Sequence, residues 1–342
     1  MTPRATDWSL AALVALLGAT GALVVWAGSP GRGWVFAVHD VGGFALGGVL
    51  VWKLRRVLPL RRASAPSLGA LGFVLLALLA GWLWSSAGPV ALAGFSLLVW
   101  HTALGAVLVV VVLVHALGRA KRLRRRDLAG RRQFLAWGGT ALGAVVAWRV
   151  QALLRPDRRF TGSYEQASGE GNAFPTTSWV ADAPRELGAD HRVTVTGLVS
   201  SPVSLSVADL DAGDELEAVL DCTGGFWSRQ RWRGVRLDRL LARAGVRDGA
   251  DHVADHVRIV SHTGYRWSFA LHDADRLLLA THVSGEALSH GHGAPVRLVA
   301  PGRRGFQWVK WVQRVELHAG PDPGAGPSTV WSSFTAAGRG AA

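Results

Sequence analysis

Leu220-Asp221-Cys222-Thr223-Gly224-Gly225-Phe226-Trp227 holds the single cysteine of this 342-residue chain. It follows an alternating apolar stretch and opens a glycine-rich turn. One thiol cannot build an internal disulfide, a Cys-rich zinc site or a Cys-ligated iron–sulfur cluster. It can act as a nucleophile or give one thiolate to a metal, and sulfur suits soft, covalent metal centres. Taken alone, a lone Cys is as readily a buried structural residue, because free Cys is among the most buried side chains. Its surroundings decide between these readings.

Around the cysteine, residues 192–197 and 256–260 alternate apolar and polar side chains and predict strands. Residues 237–245 predict a short helix closed by Gly245. These signals place a β-rich α+β domain at 179–318, long enough for one core. Residues 155–178 are polar and contain Gly and Ser, which predicts a connector. The Pro/Gly/Ala/Ser-rich residues 319–342 predict a disordered tail.

The N-terminal half has a different character. Residues 8–28, 34–52, 68–87, 91–117 and 133–154 are apolar and each long enough for a bilayer crossing. Asp40 is the only acidic residue between 8 and 118. The formal charge of +13 is concentrated in short clusters between these runs, at Lys53–Arg62 and Lys121–Arg132, which argues against nucleic acid and for a lipid bilayer as partner. Arg-rich loops at 53–66 and 118–132 should be cytoplasmic, whereas those near 29–33 and 85–90 carry little charge. The expectation is a multi-pass protein of a bacterial cell membrane. Its N-terminus faces the cytoplasm, five helices cross, and residues 155–342 lie on the extracytoplasmic side. Within this arrangement 1–132 is a four-helix membrane domain and 133–154 a fifth helix. Gly130-Arg131-Arg132-Gln133-Phe134-Leu135 before that helix reads as an internal twin-arginine export signal.

Histidine inside a bilayer is costly and marks function. His39 and His101 stand 16 and 18 residues from Arg55 and Arg119. At 1.5 Å per residue both lie roughly 25 Å from the inner boundary, on the second and fourth helices. Two imidazoles at one depth suit axial ligation of one b-type haem, with Gly42, Gly43, Gly47, Gly48 and Gly105 leaving room for a macrocycle. His115 follows His101 by 14 residues, on nearly the same helix face about 21 Å further along. Such spacing is used in two-haem cytochromes b, which makes His115 a candidate ligand of a second haem iron; no second histidine stands at its level on another helix, and an interfacial side chain is the alternative.

Ordered motifs in the C-terminal half resemble one enzyme family. They are the 220–228 segment, Trp232-Arg233-Gly234-Val235-Arg236-Leu237, Ser261-His262-Thr263-Gly264-Tyr265, His292-Gly293-Ala294-Pro295-Val296-Arg297, and Gly305-Phe306-Gln307-Trp308-Val309-Lys310. Together they resemble molybdopterin enzymes of the sulfite oxidase fold, and most closely the bacterial oxidoreductases that include periplasmic methionine sulfoxide reductase. The resemblance implies that Cys222 is the molybdenum thiolate. It implies cofactor contacts from Asn172 and Phe174 in the 171–175 segment, and from Thr263, His292, Arg297, Arg303, Trp308, Val309 and Lys310. The family often has Asn where His292 stands. From the residues themselves, Arg297, Arg303, Arg304 and Lys310 form a basic set suited to a pterin phosphate. No dimerisation domain of the immunoglobulin type is seen, which predicts a monomeric cofactor domain.

The resulting expectation is a fused redox protein. A Mo-molybdopterin domain transfers an oxygen atom to or from an S- or N-oxide, small or protein-bound. Membrane haem b exchanges its electrons with the quinone pool or another membrane carrier. A sulfite-type dehydrogenase is the enzymatic alternative. A membrane-anchored binding domain without catalysis is the other, and the retained cysteine argues against it.

Overall fold

A computed structural model describes residues 1–57, 65–119, 122, 124, 127, 129–176, 183–211, 213–246 and 254–335. Arg61 and Arg62, part of the 118–132 cluster, the expected domain start at 179 and the last residues of the tail lie outside the described residues. The chain forms two compact units, Met1–Tyr164 and from Glu165 onward.

The first unit contains five long helices: α1 (Pro3–Val24), α2 (Gly33–Val57), α3 (Ala65–Ala87), α4 (Leu97–Arg119) and α5 (Arg131–Leu154). A two-residue-per-strand hairpin, β1 (Ala91–Leu92) with β2 (Phe95–Ser96), links α3 to α4. Thr2 caps α1, its hydroxyl accepting from the Ala5 N–H. Helix α1 packs on α2 and α4, α3 on α4, and α5 on α2. Val14, Leu46, Leu50, Val74, Ala77 and Leu108 fill the seam. Leu142, Leu153 and Val114 point outward from the same helices. Helices apolar on every face are made for a hydrophobic surrounding.

Among the described residues, three helices are long and apolar enough to cross a membrane: α1, α2 with its preceding turn, and α3. The remaining two of the five expected crossings are not established by this condition. Helix α4 is apolar over Leu97–Val112, and α5 carries Arg131, Arg132, Gln133, Arg149 and Gln151. These polar groups lower its mean hydropathy below that of an autonomous span.

The described part of the expected connector, 155–176, is ordered and divides between the units. Its first part closes one end of the helical unit: Arg155 Nη1 donates to Ser86 O at 2.6 Å, Trp84 Nε1 to Gly162 O at 3.0 Å, and Arg158 Nη2 to Asp40 Oδ2 at 2.9 Å. Strand β3 (Tyr164–Glu165) stands at the junction. Residues beyond it belong to the second unit, where the Gln166 N–H donates to Trp227 O and Phe174 is buried in the core. Composition predicted polarity correctly but could not show that backbone pairing would fix these residues.

The second unit has two sheets over one core. In the first, β6 (Asp214–Asp221) and β7 (Phe226–Arg236) form an antiparallel hairpin, with Asp221 opposite Trp227. Beyond β7 lies β10 (Leu278–Val283), paired with β11 (Glu286–Ala287) and β12 (Arg297–Val299). The second sheet runs β5 (Val203–Ser206), β4 (Arg192–Gly197), β13 (Val312–His318), β8 (His256–Ser261), β9 (Arg266–Ala270), with only β4 and β13 parallel. Short helix α6 (Val207–Leu210) follows β5, capped reciprocally by Ser206 and Asp209. Helix α7 (Leu237–Ala244) buries Leu237, Leu240, Leu241 and Ala244, the i, i+3, i+4, i+7 pattern, and ends at Gly245 as its sequence predicts. Both predicted strands form where expected.

The tail is a correction. Helix α8 (Ala325–Trp331) forms inside the stretch expected to be disordered. Ser328 Oγ accepts from the Arg266 N–H at 3.1 Å and Ala325 joins the core. Tertiary contacts with β9, absent from any compositional signal, order this segment.

Candidate functional sites

Cys222 sits in the loop of the β6–β7 hairpin. Its N–H donates to Phe226 O at 2.8 Å, and the Gly225 N–H returns to Cys222 O at 3.1 Å. Gly225 has φ of +100°, a conformation that favours glycine. The Gly224 N–H points at Cys222 Sγ, 3.3 Å away.

Behind the loop lies a buried ion pair. Arg304 Nη1 donates to Asp221 Oδ1 at 2.6 Å and Nη2 to Cys222 O at 3.3 Å, both side chains almost fully buried. A Cβ on Gly305 would come within 3.1 Å of Cys222 Cα, so the chain there needs glycine to approach the cysteine. Breaking a buried pair strands a charge. Asp221→Asn is therefore expected to destabilise this unit by about 3–5 kcal/mol. Proteolysis of the purified chain across a denaturant series measures this loss.

The thiol faces a pocket lined by Phe174, Pro175, Thr176, Leu220, Cys222, Phe226, His292, Arg297, Gly305, Phe306 and Lys310. Five residues expected at the cofactor are thus brought together: Phe174, Cys222, His292, Arg297 and Lys310. The others lie elsewhere among the described contacts. Asn172 is half-buried and braces a neighbouring loop, donating to Glu286 Oε2 and Ala287 O and accepting from the Ser289 N–H. Arg303 pairs with Asp273 at 2.7 Å. Thr263 is buried, its hydroxyl bonded to Ser261 Oγ. Trp308 and Val309 are core residues behind the pocket.

Arg297 has the most unusual environment. It is 2 % exposed, and its guanidinium packs over the rings of Trp232 and Trp308, 5.0 and 5.7 Å from their centroids. Nη1 donates to His292 O at 3.0 Å, while the buried Nε has no hydrogen-bond partner. Among the described residues no carboxylate neutralises it. Burial pulls its pKa down to about 9, opposed by the charge of Cys222. A buried, unneutralised cation beside a thiol calls for an anion. The basic set read from the sequence is therefore smaller than expected, because Arg303 and Arg304 are already paired.

His292 is saturated by protein. Its Nε2 lies 2.8 Å from Phe174 O and must donate there, so Nδ1 accepts from Ser289 Oγ at 2.7 Å. Burial holds its pKa below the usual imidazole value, so the ring is neutral at physiological pH. Its ring packs on Phe174 at 4.1 Å between centroids and its carbonyl orients Arg297. Lys310 Nζ donates to Gly291 O at 2.7 Å from the opposite wall. Asp221 and Arg304 as a pair were not read from the sequence. The signal was an acidic residue ending an apolar strand beside the lone cysteine.

In the helical unit His39 on α2 and His101 on α4 face each other, ring centroids 5.9 Å apart. His101 Nδ1 donates to Ala77 O at 2.8 Å, and His39 Nδ1 lies 2.9 Å from Thr20 Oγ1. His115 lies on α4, one of the described helices, away from this pair in sequence.

The pocket thus joins one buried thiol to one buried guanidinium that no carboxylate neutralises among the described residues. Residues 180–325 match the oxidoreductase molybdopterin binding domain, and the chain carries a molybdopterin-binding domain of an oxidoreductase. It is similar to the protein-methionine-sulfoxide reductase catalytic subunit MsrP of Gluconobacter oxydans, 29 % identical over 220 residues, covering 56 % of this chain and 70 % of that protein. It is also similar to the NAD(P)H nitrate reductase of Hordeum vulgare, 34 % identical over 155 residues, covering 36 % of this chain and 17 % of that protein. The chain thus spans under a fifth of the length of the nitrate reductases it matches. Among solved structures it matches the sulfane dehydrogenase SoxCD from Paracoccus pantotrophus, with 29 % identity, a TM-score of 0.37 and 40 % of each chain covered.

Proposed function

We propose that this chain is a membrane-anchored molybdenum oxidoreductase that moves an oxygen atom to or from an S- or N-oxide and exchanges electrons with the quinone pool through one haem b. The observation that carries the molybdopterin half is the unneutralised Arg297 beside Cys222 in one pocket. A bound molybdopterin would supply two-electron oxygen-atom chemistry at a thiolate-ligated metal. In this reading the chain's own residues do the rest. Cys222 gives the thiolate, Arg297 and Lys310 neutralise the cofactor's anionic end, and the Asp221–Arg304 pair holds the hairpin loop in place. The apolar wall of Leu220, Phe226 and Phe306 excludes water from the thiol. Similarity to a methionine sulfoxide reductase favours reduction as the direction.

The haem half rests on the paired histidines. Two imidazoles bound to one iron at about 2 Å each place their ring centroids about 6 Å apart. The observed 5.9 Å agrees. Both Nδ1 atoms are engaged by protein, which leaves both Nε2 atoms for a metal, the usual arrangement around ligating histidines. In the same reading all five helices cross the bilayer, the N-terminus is cytoplasmic, and Arg131-Arg132 directs the molybdopterin domain to the outside. The apolar character of α1 to α3 supports anchoring.

The test uses the purified full-length chain. Metal and pterin analysis is expected to find molybdenum and molybdopterin, and the optical spectrum a low-spin bis-His haem. An S-oxide such as methionine sulfoxide should oxidise a reduced artificial donor in the presence of the enzyme. Reduction of the haem by sulfite without S-oxide turnover would replace this reading with the sulfite-type dehydrogenase. A folded chain without metal or pterin would replace it with a binding domain. His39→Ala and His101→Ala should each abolish the bis-His spectrum while S-oxide turnover with the soluble donor persists. His115→Ala should leave that spectrum intact, and its loss there would overturn the ligand assignment.

A further inference from the structure

We infer that Thr20 is a positioning residue for haem, holding His39 in the ligating tautomer and setting the potential of the iron; this rests on the haem reading above. Thr20 lies on α1 and is four per cent exposed. Its hydroxyl donates to Leu16 O at 2.8 Å, the ordinary back-bond of a threonine within a helix. A hydroxyl has one hydrogen, so that bond leaves its oxygen an acceptor. The oxygen lies 2.9 Å from His39 Nδ1. The hydrogen of that contact must therefore come from the imidazole. His39 is fixed as the Nδ1–H tautomer, with the Nε2 lone pair available.

His101 reaches the same tautomer by another route, since the carbonyl of Ala77 can only accept. The two rings lie edge to face with matching protonation, His39 held by the Thr20 side chain together with the Leu17 backbone and His101 by backbone alone. Gly21, beside Thr20, completes the support. A Cβ at that position would lie 3.5 Å from His39 Cε1, so the ring rests directly against this turn of α1. Helix α1 contributes no ligand of its own, and Thr20 gives it a reason to face the histidine pair.

An acceptor on the far nitrogen makes a ligating imidazole a stronger donor and stabilises ferric iron. Thr20→Val keeps the shape and removes the acceptor. The expected result is a ferric-to-ferrous stability ratio lowered about tenfold, an upward shift of about 59 mV for one electron. Thr20→Ser should restore the wild-type potential. The measurement is a spectroscopic redox titration of the purified full-length chain, with haem content read alongside. A Thr20→Val protein with the wild-type potential and haem content overturns the inference while leaving the haem reading in place. A Thr20→Ser protein that fails to recover the potential also overturns it, because packing alone would then explain the valine variant. Absence of haem from the wild-type chain removes the underlying reading itself. If Thr20→Val does not accumulate, Thr20→Ala and Thr20→Ser decide the matter by the same potential difference.

Discussion

Cys222→Ser is expected to lower S-oxide turnover by more than about a hundredfold while molybdopterin content stays near that of the unaltered chain. Serine offers a harder, more basic oxygen that suits a soft metal centre poorly. The fold should tolerate the change. The hairpin loop is held by backbone hydrogen bonds between Cys222, Gly225 and Phe226, which do not use the sulfur. The Asp221–Arg304 pair that supports the loop is likewise untouched. The pterin's anionic end would still find Arg297 and Lys310. Turnover near the wild-type rate would reject the thiolate assignment, and a loss of pterin in parallel with metal would show that the sulfur anchors the whole cofactor.

Arg297→Met should produce effects of opposite sign in the cofactor-free and cofactor-loaded chain. Without cofactor, the guanidinium is a buried cation with no anionic partner, and replacing it by an apolar side chain of similar length should stabilise the domain by about 1–4 kcal/mol. With cofactor, the same change removes a charge-assisted contact and should weaken retention about 10–100-fold. A pH dependence follows. The folded-state pKa of about 9 lies well below the ordinary arginine value, so above pH 9 the unfolded chain binds more protons than the folded one. Stability of the cofactor-free domain should therefore rise as pH increases above about 9, and the rise should vanish in Arg297→Met. Cofactor-free protein from a host unable to make the pterin, unfolded by denaturant at pH 8 and at pH 10, measures this. A flat profile in the parent chain would refute the idea that Arg297 awaits an anion.

What the sequence determined by itself were the features written in local pattern. Strand alternation at 192–197, the i, i+3, i+4, i+7 spacing of α7 and the unbroken apolar runs of the first half each follow from short-range periodicity. The single cysteine excluded whole classes of metal site, and counting along helices placed His39 and His101 at one level. Tertiary structure decided what depends on partners far apart in the chain. Arg297 and Arg304 are seven residues apart and chemically identical in the sequence, yet Asp221 neutralises one and leaves the other as a buried lone cation. Arg303 is likewise withdrawn from the pocket by Asp273. The tail became a helix because Ser328 found the backbone of Arg266, and Thr20 became more than a polar residue in an apolar helix because His39 lies against it. Charge and hydrogen-bond capacity are properties of a residue, but whether they are spent or available is set by the groups that folding brings within about 3 Å.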